Sequence, residues 1–118
     1  MFEYLYDAKY KKAKKNYNNA KSKINKLKKY KSDITDDKSS ITQINKKIDD
    51  INSYISNAIL DSYVSSKIGS RLYNLKEQNQ ESDADLSNAD RYLSYEIDLV
   101  QKEIDASEST MVAIKNQY

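Results

Sequence analysis

The chain has no cysteine, no histidine, no proline and no tryptophan, and its single glycine is Gly69. Without cysteine there is no disulfide framework and no thiol nucleophile. The lack of histidine removes the commonest general base and nearly every zinc-binding set. Phosphate-cradling loops need several glycines, so they are excluded as well. A chain so short of proline and glycine has few points at which tight turns are favoured. No apolar run approaches the length of a membrane span. The start, Met1-Phe-Glu-Tyr-Leu-Tyr6, has no basic segment leading into an apolar block. No cleavable signal peptide is therefore expected. The expected location is the cytoplasm, or outside the cell by a route that reads no such signal.

What remains suits long helices. The chain has 118 residues, 38% apolar and 32% charged, which fits one domain but not a wide globular core. Small or apolar residues fall at Tyr6, Tyr10, Ala13, Tyr17, Ala20, Ile24 and Leu27, in steps of four and three. The stripe continues through Ile34, Ile41, Ile48 and Ile55, each seven from the last, with Ile44, Ile51 and Ile59 beside it. Strands alternate every two residues; this period is the seam of a helix that packs on another helix. Extended as a single helix, the stretch from Tyr6 to Ile59 would reach about 80 Å.

The second half repeats the pattern through Leu72, Leu75, Leu86, Ala89, Leu93, Ile97, Val100, Ile104, Met111, Ile114 and Tyr118. It is weakest between Gln78 and Asp85, where Asn79 and Ser82 take apolar slots. Ser62 to Ser70 holds four serines and Gly69, and is read as the turn. The expectation is an all-α protein: one antiparallel two-helix hairpin domain over 1–118. Its helices span about 4–62 and 70–117, joined by a turn at 63–69. Ser40 and Gln43 have capping-box spacing, but Ile34 and Ile41 hold register, so helix one is read as continuous there.

No catalytic residue, metal site or cofactor is expected. Carboxylates alone need a dry concave pocket to shift their pKa values, and a narrow hairpin offers none. Asp36 with Asp37, and Asp83 with Asp85, are read as solvated acidic surface. The apolar stripe is wider than one partner helix needs. Its edge at Ile41, Ile44, Ile48, Ile51, Ile55 and Ile59 is the expected partner-binding surface, and Tyr63 and Gly69 mark the tip. The partner is a larger helical protein, a second small helical protein, or a second copy of the chain.

Charge is unevenly placed. Residues 1–31 hold eleven lysines against Glu3 and Asp7; residues 32–118 hold nine Lys or Arg against sixteen Asp or Glu. The lysine face is read as solvated surface drawn to the acidic second helix. Nucleic acid is not the expected partner, although a nucleic-acid-binding coiled coil is an alternative reading, and a self-assembling structural coiled coil is another.

A long helix, a turn with a bulky aromatic and a small residue, and a second long helix, without cysteine or histidine, resemble the small helical-hairpin proteins of type VII secretion. The likeness is greatest to the accessory members encoded beside LXG toxins in low-GC Gram-positive bacteria. Abundant Lys, Asn, Ile and Tyr also fit an AT-rich genome. The resemblance implies a non-enzymatic targeting factor that binds the helical N-terminal domain of the toxin. The family's Trp-Xaa-Gly turn has only Tyr63 and Gly69 as a counterpart here. Its export signal, Tyr-x-x-x-Asp/Glu, is matched by Tyr92 with Glu96 and by Tyr73 with Glu77.

Overall fold

The computed structural model describes residues 2–58 and 61–118. A short 3-10 turn over Glu3–Tyr6 leads into α1, Ala8–Asn57, and α2 spans Ser62–Asn116. Among the described residues there is no strand. The two helices pack against each other as an all-α helical hairpin. The chain divides into two compact units, Met1–Ser32 with Arg91–Tyr118, and Asp33–Asp90.

Helix α1 starts where Asp7 caps it. The Asp7 carboxylate accepts hydrogen bonds from the backbone N–H groups of Lys9 at 2.8 Å and Tyr10 at 3.2 Å. These donors have no carbonyl partner within the helix, so the cap satisfies them. The helix runs unbroken through Ser32–Ser40. There the hydroxyls serve the helix: Ser40 donates to the Asp36 carbonyl, and Thr42 to that of Lys38.

The connection between the helices differs from the expected 63–69. It precedes Ser62, and the whole serine-rich stretch with Gly69 lies inside α2. The cause is Asp61. Its carboxylate accepts from the N–H groups of Tyr63 at 2.9 Å and Val64 at 3.4 Å, capping α2 eight residues before Gly69. Gly69 has no positive φ, so it ends nothing.

In the first unit, Ala20, Ile24, Val100 and Ile104 form the core, with Tyr17, Leu27 and Ile97 packed against it. Ala20 and Ile24 of α1 meet Val100 and Ile104 of α2, and Val100 is fully buried. The open end is closed by polar contacts. Tyr4 meets Tyr10 edge to face at 5.1 Å, and Lys115 lies 5.6 Å from the Tyr4 ring centre. The Tyr118 hydroxyl donates to Asp7 at 3.0 Å. Tyr6 and Tyr118 were expected in the seam, but both rings are exposed.

The second unit is more thinly covered. Ile48 is its one fully buried hydrophobic residue among those described, while Ile34, Ile41, Ile55, Leu72 and Leu86 are half-buried. The α2 seam here runs Leu72, Lys76, Asn79, Asp83 and Leu86, all half-buried. Leu75 and Ser82, both expected in the seam, are exposed instead. Stepping four and three from Leu72 reaches Lys76 and Asn79; that phase carries on to Leu93 and Ile97, and it leaves Leu75 on a flank.

Two outcomes test this description. A Cβ built on Gly69 meets nothing within 4 Å. Gly69→Ala should therefore stabilise the protein by about 1 kcal/mol, read as a higher denaturant midpoint; a true turn glycine would give a loss.

The second concerns pH. The hydrogen bond from the Tyr10 backbone, then that from Tyr118, lowers the Asp7 carboxyl below its ordinary 3.8. The bond to Asp7 raises Tyr118 above 10.0. The Asp7 contribution is present above pH 3.8 and lost as pH falls through the lowered value. That of Tyr118 is present below pH 10.0 and lost as pH rises through the raised value. Tyr118→Phe should lower the melting temperature between these limits and flatten both limbs. Tyr73, raised by its hydrogen bond to Glu77, should keep part of the alkaline limb. Melts followed by circular dichroism check this, with smaller effects at high salt because the groups are exposed.

Candidate partner-binding flank

Polar side chains occupy every second seam position of α1 from Lys31 onward: Lys31, Lys38, Asn45 and Asn52, all half-buried. In the first unit the Lys31 ammonium donates to the Ser94 hydroxyl at 2.7 Å. In the second, Lys38 donates to Ser87 at 2.6 Å, and the Asn79 amide donates to the Asn45 carbonyl oxygen at 3.0 Å. Lys76 pairs with Asp49 at 2.8 Å. As α1 advances α2 retreats, so these pairs define an antiparallel register.

The register also sorts the flanks of the second unit. Ser87 and Asp49 lie on the flank that receives the lysines. Along that side α1 carries Thr35, Thr42, Asp49 and Ser56, with Ser39, Lys46 and Ser53 just outside them. The opposite flank carries Ile44 and Ile51 from α1, which are 44% and 45% exposed. By the same seven-residue phase, α2 contributes exposed Leu75 and half-buried Ile68 there, with Val64 and Tyr54 on the adjoining rows. Every large exposed aliphatic side chain described in this unit (Ile44, Ile51, Val64 and Leu75) falls on that one flank.

The six expected partner-binding isoleucines therefore separate. Ile44 and Ile51 are exposed, Ile41 and Ile55 are half-buried, and Ile48 is only 3% exposed within the hairpin's own seam. Ile59 lies outside the described residues. Leu75, Val64 and Tyr54 were not assigned to this surface from the sequence. Their signal was phase: each sits on the flank rows once the seam is drawn through Leu72 and Lys76.

The other expected positions are dispersed. Tyr63 is exposed in the first turn of α2, with the Lys67 ammonium 5.4 Å from its ring centre. Gly69 is half-buried and helical. Tyr92 is exposed and Glu96 half-buried, one turn apart on α2. Tyr73 bonds to Glu77, its partner in the other Tyr-x-x-x-Glu match.

Asp83 is half-buried near the seam and Asp85 exposed; among the described residues no three acidic, histidine or cysteine side chains are grouped to hold a metal. In the first unit a groove of about 370 Å³ runs past Asn16, Ala20, Lys23, Glu103 and Ser107 and lies open to solvent. Among the described residues, no helix is long and apolar enough to cross a membrane. Compared with protein-family models, with curated proteins and with solved structures, the chain matches none.

Single substitutions separate seam from flank. Ile48→Asp buries an unpaired charge and should cost several kcal/mol, lowering helix content and melting temperature together. Ile44→Asp and Ile51→Asp place the charge in water and should leave both nearly unchanged. Circular dichroism at one protein concentration checks all three.

Proposed function

We propose that this chain is a non-enzymatic helical binding partner that lays a third helix along the Ile44, Ile51 and Leu75 flank. The supporting observation is the asymmetry of the second unit: its large exposed aliphatic side chains all lie on one flank. A helix with its own apolar stripe is the complement of such a surface. Covering the exposed part of one isoleucine contributes on the order of 1 kcal/mol, so several together give a usable affinity. The resemblance to type VII accessory hairpins supplies the partner: the helical N-terminal domain of an LXG toxin, which the chain helps deliver to the secretion machine. In this reading the chain acts in the cytoplasm, with Tyr92 and Glu96 as the candidate export pair.

The test is affinity capture of the tagged chain from its native cells, with nuclease present and co-eluting proteins identified by mass. A larger protein with a long helical N-terminal region is expected. The double variant Ile44→Asp/Ile51→Asp should lose it at least tenfold, whereas Thr42→Asp/Ser53→Asp on the other flank should retain it. Equal retention by both variants overturns the flank. Recovery of this chain alone, at an oligomeric mass, overturns the targeting role.

A further inference from the structure

The lysines between Lys11 and Lys29 form no ion pair with the acids of α2. Between Lys11 and Lys29 the helix carries nine lysines and no acid. All nine are exposed, and among the described residues none is paired with a carboxylate. Lys11 and Lys21 lie over the rings of Tyr6 and Tyr17, 5.8 and 5.4 Å from their centres, which orients the ammonium groups but leaves their charge. The expected attraction to the acidic second helix forms no ion pair with these nine, so the first unit presents a basic face about 27 Å long.

We propose that this face of α1 binds the phosphate backbone of duplex DNA without reading its sequence. The placement of the lysines carries the argument. Lys14, Lys21 and Lys28, one heptad apart, line one side of α1; Lys12 and Lys26 line the other. The major groove of B-form DNA is about 12 Å wide and admits an α-helix, so both lysine rows meet phosphates on its two rims. A flat lipid surface meets one side of a helix and holds it by apolar insertion, and no large hydrophobic side chain is exposed between Tyr6 and Tyr30. Single strands are held by rings stacked along the groove, whereas the one ring within the lysine stretch, Tyr17, is half-buried and the exposed rings of Tyr6 and Tyr30 stand beyond its two ends. The deep, narrow major groove of duplex RNA excludes the helix. Arginine, the usual base-reading residue, is missing from the face, which leaves the contacts to phosphate.

This inference is independent of the helical-partner reading, because it uses the first unit and none of the flank isoleucines. The experiment is fluorescence anisotropy of the purified full chain. The probes are two 20-base-pair duplexes of unrelated sequence, one single strand of the same length, and vesicles containing phosphatidylserine. Both duplexes should bind within about twofold of each other. Their affinity should fall about a thousandfold between 50 and 200 mM salt, as about six phosphate contacts require. Charge reversal at Lys12, Lys14, Lys21 and Lys26 to Glu should reduce binding at least a hundredfold with helix content unchanged. If helix content falls, the same four positions changed to Gln give the comparison. The proposal is overturned by no duplex binding at 50 mM salt, by duplex binding that survives in the well-folded variant, or by tighter binding to the single strand or the vesicles.

Discussion

The antiparallel register of α1 against α2 is the constraint on which the other features depend. It is held by polar side chains set into a thin apolar seam. Lys31 with Ser94 serves the first unit; Lys38 with Ser87 and Asn45 with Asn79 serve the second. Each pair gives up packing that an isoleucine would supply, and so costs stability relative to an apolar seam. In return each penalises displacement. A slip of one heptad sets Asn45 opposite apolar α2 residues and leaves a half-buried amide unpaired, which adds a desolvation cost to the lost hydrogen bond.

The same register decides what is left outside. Lysine side chains reach from the seam to one flank, where serine and aspartate receive them. The isoleucines at Ile44 and Ile51 cannot enter the seam, because Ile41 and Ile48 hold the adjoining positions. They stand on the other flank with Leu75. In the second unit, where Ile48 alone among the described hydrophobic residues is fully buried, covering that flank would add to folding stability as well as to affinity. The first unit has a sounder core and offers a basic surface in place of an apolar one. The two units thus present different surface chemistry.

Much of this was legible in the residues. The spacing of Ala13, Tyr17, Ala20 and Ile24 required a helix seam, and the seam between Leu93 and Ile114 held as written. The turn was misplaced because the four serines and Gly69 were weighed as helix breakers while Asp61 was overlooked as a cap. A cap acts at one position and satisfies two donors, whereas glycine inside a packed helix costs only about 1 kcal/mol. Leu75 was misplaced because steps of three and of four are both helical, and Leu72 alone does not choose between them.

By itself the sequence determined the all-α class, the two long helices, the absence of histidine and cysteine chemistry, and the uneven lysine content. These follow from composition and period, which are properties of each segment alone. Only the tertiary structure decided which isoleucines are spent inside the hairpin and which remain exposed, where the connection lies, and that the lysines from Lys11 to Lys29 form no ion pair with α2. Each of these depends on the rotational phase of one helix against the other. Phase is set by pairs such as Asn45 with Asn79, thirty-four residues apart in the chain, which no local pattern can specify.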